Sequence, residues 1–235
     1  PKNFKWPARQ GVPISEVFPK DHIEKCVDDS LRSLGVETID LVQFHVWQDY
    51  FAEENEWKET IQKIIKSGKV RYWGISINDY QPSNCLKTLD TGLISTIQFI
   101  FNLFHQKPTE TLLPYAKQHN IGLIARVPLD EGGLSGKFTG ETTFPEGDLR
   151  KKYFAGERLS ELVRRTDELK FLLDGEAESL PELDLRYILS HEEISSVIPG
   201  MRNPQNVENN LKISDGRKLS PELIEELKKN SWERN

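Results

Sequence analysis

The sequence predicts an α/β fold built on a parallel sheet curved into a barrel, and three observations carry that reading. Five short apolar runs recur along the chain: Ile39–His45, Val70–Ser76, Thr96–Phe101, Ile121–Arg126 and Ser196–Gly200. Near-continuous apolar strands are those buried on both faces, as in parallel sheets covered by helices. Sequence of helical periodicity separates the runs, as the crossover between parallel strands requires. A polar residue capable of chemistry sits in or just beyond each run (His45, Ser76, Gln98, Arg126 and Arg202). In a barrel of alternating strands and helices, such residues gather at one mouth.

The elements follow in order. Pro1–Lys20 is rich in proline and polar residues and reads as loop. Asp21 is placed to cap a helix with Ile23, Cys26, Val27, Leu31 and Leu34 on one face, stopping at Gly35. After the run to His45, Trp57, Ile61, Ile64 and Ile65 mark a second helix ending at Ser67-Gly68. Pro82 opens a helix to Leu89, and Thr109–His119 forms another with Asn120 as its stop. Asp130–Gly156 breaks the rhythm; it is glycine-rich, weakly periodic and too long for an ordinary connection, which marks a lid or clamp. Helices then follow at Arg158–Leu173, Leu180–Leu189, Pro204–Leu211 and Ser220–Asn230. No linker or composition shift divides the chain, so residues 1–235 read as a single domain.

Composition narrows the function. The 235 residues are 37% hydrophobic and 29% charged, the balance of a globular protein able to bury a core. A net charge of −6, with scattered Lys and Arg, argues against nucleic acid or an anionic membrane as partner. No apolar stretch approaches the roughly 18 residues of a membrane span, and Pro1–Gln10 lacks a signal-peptide core. Cys26 and Cys85 lie far apart and outside metal-ligand spacing, so no disulfide is implied and a reducing cytoplasm is expected; Cys26, on the apolar stripe of its helix, reads as a small buried hydrophobe. No Gly-x-Gly-x-x-Gly follows a strand. Gly132–Lys137 falls one residue short of a phosphate-binding loop, with Phe138 where Ser or Thr is needed. A metal-dependent hydrolase needs several His and carboxylates at strand ends, and only His45 qualifies.

Four segments, in order and spacing, resemble the aldo-keto reductase family. They are Leu34–His45, Gly68–Ser76, Pro128–Lys137, and Ile198–Arg202 continuing to Glu208-Asn209-Asn210. The resemblance implies a TIM (β/α)8 barrel that binds NADP(H) and reduces aldehyde or ketone carbonyls to alcohols, with a small-molecule carbonyl compound as partner. It covers the family pattern only from the third strand's loop onward. The family's catalytic Asp, Tyr and Lys would precede Pro1, so the reading expects an N-terminally truncated barrel of about five strands. With unpaired sheet edges, such a piece is expected to be inactive alone and prone to aggregate. A non-catalytic nucleotide-binding relative that senses redox state or regulates a partner is the alternative.

The resemblance also distributes roles. His45 falls on the family's catalytic His, orienting the carbonyl or relaying its proton. By their position just beyond His45, Trp47 and Tyr50 fit an apolar substrate wall, with simple loop packing as the other reading. Ser76, Asn78 and Gln98 would bind the nicotinamide carboxamide; a buried Gln that found no partner would cost about 1–3 kcal/mol. Arg126 stands where many relatives stack an aromatic ring on the nicotinamide, with a local salt bridge as its other reading. Pro128, Leu129, Gly133, Leu134, Gly136 and Lys137 would cover the pyrophosphate, and ordinary turn duty is the alternative for the glycines. Gly200, Met201 and Arg202, followed by Gln205, Asn209 and Asn210, match the region that holds the adenosine 2′-phosphate. Gly200-Met201 replaces a frequent Lys-Ser pair there. Asp40, at the opposite end of its strand, reads as structural.

Overall fold

The computed structural model describes residues 9, 11–78, 80–173 and 175–233. The part of the expected opening loop that it describes holds a short helix, α1 (Ile14–Val17), because Ile14, Val17 and Phe18 are all buried. The rest of that loop, residues 1–8 and 10, lies outside the described residues. Helix α2 (Lys20–Leu34) starts after Pro19 without a side-chain cap. The expected cap, Asp21, instead lies in the first turn, where its charge favours the helix start. The predicted stop is observed: Gly35 takes φ 68°, and the amides of Gly35 and Val36 both donate to the Leu31 carbonyl.

Five strands form one open sheet in the order β1 (Ile39–Trp47), β2 (Val70–Ile77), β3 (Thr96–Ile100), β4 (Gly122–Arg126) and β5 (Ile194–Val197). Strands β1 and β2 pair in parallel, as do β2 and β3. The connecting helices are α3 (Glu56–Lys66), α4 (Leu86–Leu89), α5 (Leu112–His119), α6 (Leu149–Tyr153), α7 (Arg158–Lys170) and α8 (Leu180–Ser190), and α9 (Pro204–Lys212) and α10 (Pro221–Lys228) follow β5. Two boundaries depart from expectation. The helix expected from Pro82 begins only at Leu86, after turns, and the last strand ends at Val197, before Pro199. The chain divides into two compact units, with boundaries inside β3 and β4.

One unit runs to Phe99 and includes Lys107–Ile124. Its core is aromatic: Phe18, Phe44, Trp47, Phe51, Trp57 and Trp73 are fully buried. Each of Phe18, Phe44 and Trp57 has a ring centroid 4.9–6.3 Å from another member. Alternation along the strands sends Phe44, Trp73, Ile75, Ile97 and Phe99 to this core, leaving the intervening residues to the other face. On that second face Gly74 is obligatory. A Cβ there would lie 2.1 Å from Thr96 Oγ1 and 2.9 Å from its carbonyl oxygen, and Gln43 closes the space by donating to Thr96 Oγ1 at 3.3 Å.

The other unit comprises Ile100–Gln106 and the chain from Ala125 onward. Its interior is unusually polar. The carboxyl group of Asp184, on α8, accepts from the Leu103 amide at 2.8 Å. Gln106 donates to the carbonyls of Leu103 and Leu227, and Tyr187 donates to Gln106 Oε1 at 2.9 Å. Asn102 caps its own turn by accepting from Phe104 and His105 amides, while donating to the Val127 carbonyl. The chain end closes over this network: Trp232 lies 3.8 Å from the Arg158 guanidinium and 5.4 Å from the Phe104 ring, and Glu233 bonds His105 and the Gln106 amide.

Among the described residues, no helix is long and apolar enough to cross a membrane, and no group of three potential ligands is placed to hold a metal ion.

Candidate functional site

In the first unit, strand register assembles what the sequence scattered. His45 on β1 pairs with Ser76 on β2, and Ser76 pairs with Gln98 on β3. The three therefore form one row across adjacent strands, on the face opposite the aromatic core. His45 and Gln98 are half-buried; Ser76 is 2% exposed, and its hydroxyl has no hydrogen-bond partner among the described residues. A buried hydroxyl left in this state costs about 1–3 kcal/mol, which an incoming polar group would recover. Asn78 follows one residue beyond the end of β2 and is half-buried. The His45–Val46 peptide is cis, and the β1–β2 register shifts between His45 and Trp47.

That shift removes Trp47 from the place expected for it. Its indole is fully buried among Phe44, Phe51 and Trp57, and its Nε1 donates to Thr88 Oγ1 at 2.8 Å. Trp47 is a core residue and not part of a substrate wall; its large apolar surface fits the helix-facing side of the sheet. Tyr50 is half-buried against Phe51, and its hydroxyl donates to the carbonyls of Arg9 and Val12. That bond fastens the preceding chain. Cys26 is half-buried with its sulfur 3.4 Å from His22 Nε2, short of the full burial expected. Asp40 is exposed and paired with Arg71 at 2.6 Å, in keeping with a structural place.

In the second unit, Arg126 ends β4 and the chain turns sharply. Val127, Asp130 and Glu131 all take φ between 45° and 56°, and Gly132 takes 96°. Non-glycine residues in this region cost roughly 1–3 kcal/mol each, and such strain concentrates at sites where geometry matters. Pro128 and Leu129 lead into a 3-10 turn, Asp130–Ser135. The turn is held from within: Gly132 and Leu134 donate to the Leu129 carbonyl, and Ser135 Oγ donates to the Gly132 carbonyl at 2.5 Å. Gly133 is needed because a Cβ would press within 3.0 Å of Leu162 and 3.1 Å of Asp130, and Gly136 because its φ is 68°. Lys137, at the end of the turn, has its amide 3.4 Å from Ser135 Oγ.

The stretch read as a lid is folded, not loose. Phe138, Phe144 and Phe154 form a ring cluster at 5.4–5.7 Å, and Tyr153 hydrogen-bonds to Asp130. Asp148 caps α6 by accepting from the Arg150 amide at 2.9 Å, and its carboxylate also takes the Arg150 guanidinium in a fork at 2.6–3.2 Å. The fork holds the Asp148 carboxyl at about 2, and Arg202 adds to the effect through space. Sequence reading missed this pair; the Asp148-Leu-Arg150 spacing just after Gly147 was its only signal.

Gly200, Met201 and Arg202 form the exposed turn between β5 and α9. Asn203 caps α9 by accepting from the Asn206 amide at 2.8 Å, with Pro204 in the first turn. Asn210 donates to the Gly200 carbonyl at 3.3 Å, and Gln205 donates to Asn209 at 2.9 Å, so these polar residues brace the turn and one another.

The description "Aldo/keto reductase family" matches residues 6–231. Aldo-keto reductase YhdN of Bacillus subtilis is 31% identical over 185 residues, covering 77% of this chain and 55% of the relative. Aldo-keto reductase yakc [NADP(+)] of Schizosaccharomyces pombe is 25% identical, covering 88% of this chain and 62% of the relative. The chain thus spans between half and two thirds of the length of these relatives. Among solved structures, a glycerol dehydrogenase from Gluconobacter oxydans aligns with a TM-score of 0.75 and 30% identity, covering 90% of this chain and 64% of that one. The holo form of an aldo-keto reductase from Bacillus halodurans aligns with a TM-score of 0.72 and 26% identity, covering 90% and 67%. The strand-end row and the strained turn after β4 are therefore features of a chain that belongs to the aldo/keto reductase family.

Proposed function

We propose that this chain binds a nicotinamide dinucleotide, NADP(H) in the first instance, and serves reduction of an aldehyde or ketone to the alcohol. The row His45–Ser76–Gln98 carries the reading. A carboxamide presents both a donor and an acceptor face, and the buried Ser76 hydroxyl without a partner beside the Gln98 amide fits such a group. Asn78 supplies a further amide one residue beyond β2. The other unit, taken by itself, also offers groups suited to phosphate: backbone amides in the strained turn Leu129–Lys137 and the Arg202 guanidinium.

When bound, the nicotinamide supplies a hydride to the carbonyl carbon. His45 in this scheme hydrogen-bonds the carbonyl oxygen, where negative charge grows, and steers the carbonyl toward attack. Arg126 sets a positive charge at the end of β4. Support comes from the family match and from the name of the yeast relative, which carries NADP(+).

Titration with NADPH, followed by nucleotide fluorescence, tests the reading. Gln98→Ala is expected to weaken binding roughly 5- to 100-fold, the worth of a buried hydrogen-bonding group. Equal affinity in native and Gln98→Ala protein would remove the assignment of the row to the carboxamide.

A further inference from the structure

Val127 stands in a conformation that its own chemistry disfavours. Its φ is 52°, in the left-handed region that a β-branched side chain rarely enters. The next residue is Pro128, whose ring crowds the residue before it and pushes that residue toward extended backbone. Both local forces oppose the observed geometry, so a partner elsewhere must hold it. The Val127 carbonyl accepts two hydrogen bonds. One, from the Asp130 amide at 3.2 Å, belongs to the turn itself. The other comes from the loop after β3, where Asn102 donates its Nδ2 at 2.9 Å. Asn102 is 1% exposed, and its Oδ1 is fixed by the Phe104 amide at 3.0 Å and the His105 amide at 2.9 Å. The nitrogen end of the side chain is thereby directed at Val127. A primary amide meets all three demands, whereas a carboxylate has no donor to give. The loop is itself held from behind: Glu233 accepts from the Gln106 amide at 2.8 Å, and the Trp232 amide donates to the Phe104 carbonyl at 2.7 Å. All of these groups belong to the second unit.

From this contact we infer that Asn102 is a positioning residue for the nucleotide: its side-chain amide holds Val127 left-handed, and so keeps the turn Leu129–Lys137 set with its backbone amides ready for the pyrophosphate. The inference rests on the nicotinamide reading above and concerns how the turn is held. Asn102 acts through Val127 and is not itself a ligand-binding group. Without this clamp Val127 relaxes toward extended backbone, and an incoming nucleotide must restore the turn out of its own binding energy.

The experiment measures equilibrium binding of NADPH, ADP-ribose and 5′-AMP, together with urea midpoints, for native protein, Asn102→Ala, Asn102→Asp, Val127→Gly and the double variant Asn102→Ala/Val127→Gly. Asn102→Ala removes both the clamp and the cap of its own loop. Asn102→Asp keeps the acceptor for the loop amides but cannot donate to Val127. Both should weaken NADPH and ADP-ribose, which carry the pyrophosphate, about ten-fold, the worth of one such hydrogen bond, and leave 5′-AMP within about two-fold of native. Glycine enters positive φ freely, so Val127→Gly removes the need for a clamp. The double variant should therefore regain NADPH affinity to within about three-fold of native, while its urea midpoint stays low because the loop cap is still missing. A merely structural Asn102 gives a lower midpoint with affinity unmoved and nothing for glycine to rescue. That result overturns the inference, as does equal weakening of all three ligands. Should Asn102→Asp not fold, Asn102→Ala with and without Val127→Gly decides alone. If native protein binds NADPH and Asn102→Ala binds it equally well, only this inference fails; if native protein binds neither NADPH nor ADP-ribose, the nicotinamide reading fails and takes this inference with it.

Discussion

The two units solve the problem of an interior differently. The first packs rings: Phe44, Trp47, Trp57 and Trp73 meet with both hydrogen-bonded indoles, Trp47 and Trp57, donating to neighbouring oxygens. The second threads hydrogen bonds through its centre: Asn102, Gln106, Asp184 and Tyr187 are buried polar groups held by named partners. An apolar interior draws its stability from area removed from water and is indifferent to pH. A polar interior depends on every partner staying in place and on the protonation of any carboxyl within it.

The contrast is most exposed at Trp47. Trp47→Ala should destabilise by about 3–5 kcal/mol, read as a lower midpoint in urea, with the same loss at pH 5 and pH 8. A loss under 1 kcal/mol would mean the ring cluster is not the source of this unit's stability. Next comes Gly74→Ala, where the new methyl meets Thr96; overpacking of this kind costs about 1–3 kcal/mol. Thr96→Ser in the same background should not rescue it, because the carbonyl of residue 96 stands 2.9 Å away as well.

Asp184 offers the sharpest contrast in the second unit. Burial pushes its carboxyl well above the usual carboxylate range, and the neighbouring Asp130 charge raises it further. The folded chain thus keeps a proton that the unfolded chain releases above its ordinary carboxyl value. The stability it confers is complete below that value and is lost as pH rises toward the folded-state value. Asp184→Asn keeps an acceptor for the Leu103 amide and has no proton to lose, so its advantage over native protein should widen from pH 4.5 to 7. A difference independent of pH would show that Asp184 titrates normally. Asp184→Ala removes the acceptor and should cost about 1–3 kcal/mol. The smallest effect is expected from Asn203→Ala, about 1 kcal/mol for loss of the α9 cap and the same at any pH between 5 and 8. It serves as the reference against which the Asp184 slope is judged.

The same division decides what the sequence could reveal. Strands β1 to β4 were legible within a residue or two because their apolar runs are buried on both sides over much of their length, as in β2 from Trp73 to Ile77. Gly35 and Asn120 were legible as helix stops because both take positive φ, at 68° and 53°. The row His45–Ser76–Gln98 could be suspected from strand ends, but its register belongs to pairing across the sheet. Trp47 was misplaced because one irregular step after His45 turns the next side chain to the opposite face, and no periodicity announces such a step. The polar network was invisible for another reason: Asp184 and Gln106 lie 78 positions apart in the chain and share partners only after folding. Pattern reads burial of apolar groups well and says little about which polar groups will meet.

Trp232 has a practical use that follows from its position. Among the described residues it is the one tryptophan of the second unit, where two arginines, at 3.8 and 4.9 Å, lie over its ring. Substituting the four other tryptophans of the sequence with phenylalanine would leave one emitter reporting from the polar half, with cations close enough to tune its colour. Ordering of that half could then be watched by light alone, separately from its neighbour.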